Sequence, residues 1–144
     1  MKRLSSNKKV MVFGVFDRLH PGHVDFLMQA KEYGSVIAVV ARDDFVKSFK
    51  GKNSLENQEI RLKEVATNEL VTEAVLADEV IGSYGVIKKY APDIILVGYD
   101  QIILEEDLKR LKQAGNQPSI PIIRLNPHIP EEFHSSFSRI ACNV

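Results

Sequence analysis

The chain has 144 residues and a single cysteine, Cys142. One cysteine builds neither a disulfide framework nor, by itself, a zinc site, and it points to a reducing compartment. The chain also lacks net charge: 19 Lys and Arg balance 19 Asp and Glu. A general nucleic-acid binder uses a basic excess to displace counterions, so any phosphate chemistry here has to be local. Long apolar runs are missing as well. After the basic start MKRLSSNKK, the run VMVFGVF ends at Asp17, too short to span a membrane, and no small-residue cleavage site follows. No Gly-x-Gly-x-x-Gly is present. Gly51-Lys52-Asn53-Ser54 has a P-loop flavour, but no glycine stands five residues before Gly51 and no strand precedes it. Internal repeats and low-complexity linkers are absent. These absences lead us to expect a cytoplasmic protein with no nucleic-acid or membrane partner. We expect one domain over 1–144, with 1–8 as a loose tail.

What is there is globular. Hydrophobic residues make up 44% and charged residues 26% of the chain. VMVFGVF (10–16) is β-branched, aromatic and apolar throughout, as in a strand buried on both faces. A helix follows from near Gly22, with Val24, Leu27, Met28 and Lys31 on one face and Gly34 as its stop. SVIAVVAR (35–42) reads as a second buried strand, and 43–54 as a polar loop with at most a helical turn. Glu56 to about Leu76 has a helical period. DEVIGS (78–83) reads as a short strand, YGVIKKYA (84–91) as a short helix before Pro92, and DIILVGYD (93–100) as an apolar strand. Residues 104–115 form an amphipathic helix, 120–125 a fifth strand, and the tail a short helix from Ser135 or Ser136. The alternation predicts an α/β fold: a Rossmann-like three-layer α/β/α arrangement with a parallel sheet of about five strands. Ligands bind such sheets beyond the carboxyl ends of the strands, at the topological switch point. The segments just after strands are therefore the ones that bear on function.

The first is GVFDRLHPGH (14–23). A helix that starts near Gly22 points free N–H groups and the positive end of its dipole at whatever lies above the strand, which favours phosphate. His20 and His23 add imidazole donors at that end, and Gly22 lets a ligand approach the backbone. A lone histidine is ordinarily a surface or core residue; two of them flanking Pro21-Gly22 at a strand-to-helix handover are not so easily explained. The second is GYDQ (98–101). Gly98 permits close approach, and Asp100 is placed to accept from ribose hydroxyls; the ordinary alternative is a turn with a capping aspartate. The third is SSFSRI (135–140), where hydroxyls at a helix start either cap it or present an anion site, with Arg139 as a fork donor. Basic residues form a fourth group: Arg42 after the second strand, Lys50 and Lys52 in the variable loop, and Arg61 beyond it. Asp17, Asp43 and Asp44 read as turn and cap residues rather than metal ligands.

GVFDRLHPGH resembles the signature of the nucleotidyltransferase superfamily that carries His-x-Gly-His. The resemblance implies a Rossmann-like sheet and transfer of a nucleoside monophosphate from ATP or CTP to a phosphorylated acceptor, with release of pyrophosphate. Over the whole chain, through GVFDRLHPGH, VVARD, the FKGK loop, PDIILVGYDQ and SSFSRI, it is most similar to the archaeal-type FAD synthases. These adenylate FMN with ATP. On that resemblance His20, His23 and Arg139 are catalytic, and Val15, Phe16, Pro21, Gly22, Gly98, Asp100, Ser135, Ser136 and Ser138 bind nucleotide. Arg42, Lys50, Lys52 and His128 are further candidates. No metal-ligating side chain is assigned, since a divalent ion, Mg2+ by preference, would be bound mainly through substrate phosphates. Dimers are common in the superfamily, so the resemblance implies a homodimer. Val15 departs from the small hydroxylic residue of many relatives. Glycerol-3-phosphate cytidylyltransferases, sugar-phosphate nucleotidyltransferases of lipopolysaccharide biosynthesis and a non-catalytic nucleotide-binding module are the alternatives.

Overall fold

The structure, a computed structural model, describes residues 8–115 and 119–127. Five strands form one parallel sheet: β1 (Lys9–Gly14), β2 (Ser35–Val40), β3 (Glu73–Leu76), β4 (Ile94–Val97) and β5 (Ile122–Arg124). Their order is β3-β2-β1-β4-β5, so the chain reverses its direction of sheet growth between β1 and β4. The helices between them are α1 (Pro21–Lys31), α2 (Asp43–Lys50), α3 (Gln58–Ala66), α4 (Gly85–Tyr90) and α5 (Ile102–Gln113). None is long and apolar enough to cross a membrane.

After their first residues β1 and β2 are apolar and buried, as is most of β4, because both faces of the sheet's centre are covered. Val10, Val12, Val36 and Val40 pack with Phe26, Leu27 and Ala30 of α1 and Val65 of α3. Met11, Phe13, Ile37 and Val39 point the other way, onto Val86 and Ile87 of α4 and Leu108 of α5. The predicted three-layer fold stands, with local corrections. The third strand is Glu73–Leu76, and Asp78–Ser83 is turn and coil. It pairs with β2 from Ile37↔Glu73 to Val40↔Leu76 because EAVL, not DEVIGS, offers residues to the apolar layer. Consequently the helix expected over 56–76 is only α3. The polar segment 43–54 contains a full helix, α2, with Asp43 and Asp44 in its first turn, Lys47 and Lys50 in its last, and Gly51 as left-handed C-cap (φ 78°). On α1 the buried stripe is His23, Phe26, Leu27 and Ala30, while Met28 is exposed. β1 ends at Gly14, two residues earlier than its apolar run. Here Phe16 turns back with φ 54°, and a Cβ on Gly14 would lie 2.8 Å from the Phe16 ring. Glycine at 14 is the space into which that ring folds.

Beyond the strands, one side chain ties the loops together. Arg61 of α3 is wholly buried. Its guanidinium donates to the carbonyls of Val15 (2.9 Å), Ala41 (2.8 Å) and Glu56 (2.9 Å) and to Asp43 Oδ1 (2.7 Å). Asp17 accepts from the amides of Leu55 (2.7 Å) and Glu56 (2.9 Å), and Asn57 caps α3 through Ile60 N–H. The loop after β1, the loop after β2 and the start of α3 are thus one hydrogen-bonded unit. Replacing Arg61 with methionine leaves three carbonyls and a carboxylate without their donor. We expect a loss of about 3 kcal/mol in urea unfolding. A variant within the scatter of the wild type would show that these bonds are not holding the loops.

Candidate active site

β1 and β2 pair over six residues, Lys9↔Ser35 to Gly14↔Val40. β1 and β4 pair only at Val10↔Ile94 and Met11↔Ile95. Past that point the ladder ends, and the switch-point rule puts the crevice of such a sheet between the segments that follow the two strands, 13–23 and 98–101. This is the switch point of the sheet, where an α/β fold offers exposed strand ends and helix starts to a ligand.

His20 is the N-cap of α1, in extended conformation (φ −138°, ψ 174°), and Pro21 takes the first helical position, where a missing N–H costs nothing. The two histidines brace each other. His20 Nδ1 accepts from Gly22 N–H at 3.1 Å, and His23 Nδ1 accepts from His20 N–H at 3.4 Å. Their rings stack with centroids 3.8 Å apart. An imidazole that accepts at Nδ1 carries its proton on Nε2, so this pairing assigns both rings as neutral Nε2–H tautomers. Burial lowers the pKa of His20. His23 is almost fully buried beside Phe16 (centroids 5.5 Å apart), and its pKa falls to about 3. Burial is the main cause, and the charges of His20 and Lys50 add to it. The expectation that Gly22 presents a free amide to a ligand is modified by this geometry. That amide is already bonded to His20, and a Cβ at Gly22 would sit 3.1 Å from His20 Cε1. Glycine there makes room for the His20 ring, and with each Nδ1 accepting a backbone amide the donor of each imidazole is its Nε2–H.

Across the crevice, Gly98–Gln101 closes a turn through Gln101 N–H to Gly98 O at 3.0 Å. Asp100 is half-buried; its Oδ2 is buried with no hydrogen-bond partner among the described residues, and burial raises its pKa. Lys50, at the end of α2, comes near enough for its charge to bear on His23. Its own pKa is lowered by burial, which outweighs the nearby Asp17. Lys52 is exposed just beyond the Gly51 cap. Arg42 directs Nε to the carbonyl of Ala77 at 2.7 Å, at the end of β3. Asp17 and Asp43 hold backbone amides and Arg61, as turn and cap residues do, and Asp44 lies in the first turn of α2. His128, Ser135, Ser136, Ser138 and Arg139 lie outside the described residues, as do the tail at 1–7 and the helix expected from Ser135 or Ser136. An open groove of about 440 Å³ lined by Arg18, Leu19, Glu56, Glu64 and Thr67 contains none of the histidines and none of the 98–101 turn.

Thus the sequence-predicted residues Val15, Phe16, Pro21, Gly22, His23, His20, Gly98 and Asp100 all fall at the carboxyl ends of two neighbouring strands. Two residues do something other than the sequence suggests: Arg61 groups there with the basic candidates around the variable loop, and Gln101 stands in the GYDQ cluster with no role of its own. Arg61 stands four residues before Val65, the other buried residue of α3, and that spacing is the signal of its burial. Gln101 follows Asp100 directly and holds the N-cap position of α5, which starts at Ile102, two residues before the helix expected from 104.

Residues 11–139 match the family described as cytidylyltransferase-like. The FAD synthase of Pyrococcus horikoshii is 38% identical over 134 residues, covering 92% of this chain and 88% of that protein. The FAD synthase of Ferroglobus placidus is 40% identical over 119 residues, covering 81% and 76%. Among solved structures, the lipopolysaccharide core biosynthesis protein of Thermoplasma volcanium superposes with a TM-score of 0.74 at 31% identity, over 85% of this chain and 98% of that one.

The neutral His23 carries a pH consequence. The unfolded residue takes a proton near 6.5, the folded one only near 3. Between those values the unfolded chain binds more protons, so the stabilisation from a neutral, buried His23 is complete above pH 6.5 and is lost as the pH falls toward 3. An NMR titration of the imidazole nitrogens should find His23 as the Nε2–H tautomer with no midpoint down to pH 5. A midpoint near 6.5 would contradict the burial described here.

Proposed function

The chain belongs to the cytidylyltransferase-like family, and from that premise we propose that it is an FAD synthase. It transfers AMP from ATP to FMN and releases pyrophosphate. The observation that carries the reading is the His20–His23 pair at the β1–β4 crevice, together with identity to archaeal FAD synthases over most of the chain.

A phosphate oxygen of FMN attacks the α-phosphorus of ATP in line. The new P–O bond gives the diphosphate of FAD, and the bond from the α-phosphorus to the bridging oxygen breaks, so that oxygen leaves with pyrophosphate. No covalent enzyme intermediate is required, and the work of the protein is positioning and charge stabilisation. His20 and His23 donate from Nε2 to phosphate oxygens whose charge grows as the bond breaks. Neutral donors fixed at Nδ1 need no reorientation during the reaction. The Arg61 bond to the Val15 carbonyl orients the peptide between Val15 and Phe16. In a planar trans peptide the N–H points opposite to the C=O, so Phe16 N–H faces away from Arg61. That backbone needs no hydroxyl at Val15 to line the pocket. Asp100 accepts from the ribose, which gives its buried Oδ2 a partner. Lys50 supplies positive charge to the phosphates, with Lys52 and Arg42 further out. Ser135, Ser136, Ser138 and Arg139 hold the departing pyrophosphate, and His128 lies on the same stretch of chain.

A divalent ion fits this site as a companion of the substrate. Among the described residues no three His, Cys, Asp or Glu side chains gather as a cation site, and the nearby Asp17 and Asp43 are engaged by backbone amides and Arg61. Mg2+ would be held by the triphosphate and would offset its charge. ATP and FMN are the substrates of this reading, and a cytoplasmic homodimer is its setting.

The test is pyrophosphate release from ATP or CTP with Mg2+ and a panel of acceptors: FMN, glycerol 3-phosphate and sugar phosphates. Release with ATP and FMN alone is the expected result. Release only with a sugar phosphate would instead ally the chain with the Thermoplasma protein named for lipopolysaccharide core biosynthesis. Binding of nucleotide without release from any acceptor would make it a regulatory module. In the active protein His20→Ala should lower kcat by about 100-fold while the circular dichroism spectrum is kept. Near-normal turnover would remove His20 from the mechanism.

A further inference from the structure

Gln101 occupies the N-cap position of α5, yet its side chain makes no cap bond. Short side chains with an oxygen are favoured at such positions because they reach the first helical amides. This longer carboxamide lies across the gap between two strands. Its Nε2 donates to the Phe13 carbonyl at 2.8 Å, and its Oε1 accepts from Gly98 N–H at 2.7 Å. The β1–β4 ladder has ended by then at Met11↔Ile95, and the next β1 carbonyl, that of Gly14, accepts from Ala41 on the β2 side. The carboxamide therefore replaces a missing rung between β1 and β4 at the floor of the crevice. It also holds the turn from two directions, since Gln101 N–H donates to Gly98 O. A Cβ on Gly98 would come within 3.3 Å of Asp100 Oδ1 and 3.4 Å of Gln101 Oε1, so these three residues are packed as a unit.

We propose that Gln101 is a positioning residue for the nucleotide: it fixes the Gly98–Gln101 turn against β1 and so sets the Asp100 carboxylate for the ribose hydroxyls. The inference rests on the nucleotide reading of the crevice and adds to it the residue through which the acidic contact acts. No other residue type of this length supplies a donor and an acceptor on one planar group. Glutamate keeps the acceptor for Gly98 N–H but turns an anionic oxygen toward the Phe13 carbonyl. Methionine keeps the length and offers neither bond. Asparagine is one methylene short of spanning both partners.

The experiment measures dissociation constants by calorimetry for ATP and 2′,3′-dideoxy-ATP, without FMN, on the wild type, Gln101→Met and Gln101→Glu. The wild type should prefer ATP by about 10-fold, the size of a charge-assisted hydrogen bond. In Gln101→Met that preference should collapse to near unity: ATP weakens about 10-fold while the dideoxy analogue changes little, as a coupling between the side chain and the ribose requires. In turnover the same variant should raise KM for ATP and leave KM for FMN and kcat near their wild-type values. Should Gln101→Met fail to fold by circular dichroism, Gln101→Glu provides the same comparison. Equal weakening of both nucleotides would make Gln101 a purely structural residue and overturn the inference, as would a retained preference. A wild type that binds both nucleotides equally would remove the ribose contact and the inference with it, leaving nucleotide binding intact. A wild type that binds neither would overturn the nucleotide reading itself.

Discussion

A buried guanidinium organises the functional end of this protein. Arg61 has no access to water and has donors to satisfy, and a charged group in that position is tolerated only when its bonds are made. Its partners are the carbonyls of Val15, Ala41 and Glu56 and the carboxylate of Asp43. Those groups belong to the loops after β1 and β2 and to the segment before α3. Loops at strand ends are ordinarily the least constrained parts of an α/β fold. Here they converge on one cation, so the backbone from Val15 to His20 can hold Phe16 and Arg18 at positive φ, a conformation that non-glycine residues rarely adopt.

The histidine pair depends on that held loop. A histidine at an N-cap is an unusual choice, and two of them bracing each other at Nδ1 is a specific solution. It satisfies backbone amides at the helix start and fixes the tautomer of both rings at once. Burial lowers the pKa of both rings, that of His23 to about 3, and in the proposed function they act as neutral hydrogen-bond donors while Lys50 at the end of α2 brings positive charge. Opposite them, the early end of the β1–β4 ladder creates the crevice, and Gln101 closes its floor. Donor and acceptor sides of the site are thus built by different elements, joined through β1.

Much of this was legible in the sequence. Continuous apolar runs at 10–16, 35–42 and 93–100 marked strands covered on both faces, and their alternation with helical periods was enough for the layer order. The histidines, Gly98 and Asp100 could be placed beyond the strand ends from the sequence alone, and they were singled out because ligands of a parallel sheet bind there. What periodicity missed were choices between near-equals. EAVL and DEVIGS are both short and mixed, and only pairing with β2 decides between them. The polar α2 hides its single buried residue, Val46, among charges. Arg61 reads as one more surface cation until the loops that need its donors are brought together. Gln101 stood in the GYDQ segment, but its role could not be read, because its partners at Phe13 and Gly98 are backbone groups without a sequence signature.

The central claim is that nucleotide binds at the β1–β4 crevice. Amide chemical-shift mapping with α,β-methylene-ATP and Mg2+ tests it most directly, because the analogue binds without transferring. The account predicts that the amides of Val15, Phe16, Gly22, Gly98 and Asp100 shift most, along with the His20 and His23 imidazoles. If those groups stay still while Glu56, Glu64 and Thr67 of the separate groove move, the nucleotide site lies elsewhere and the account is wrong.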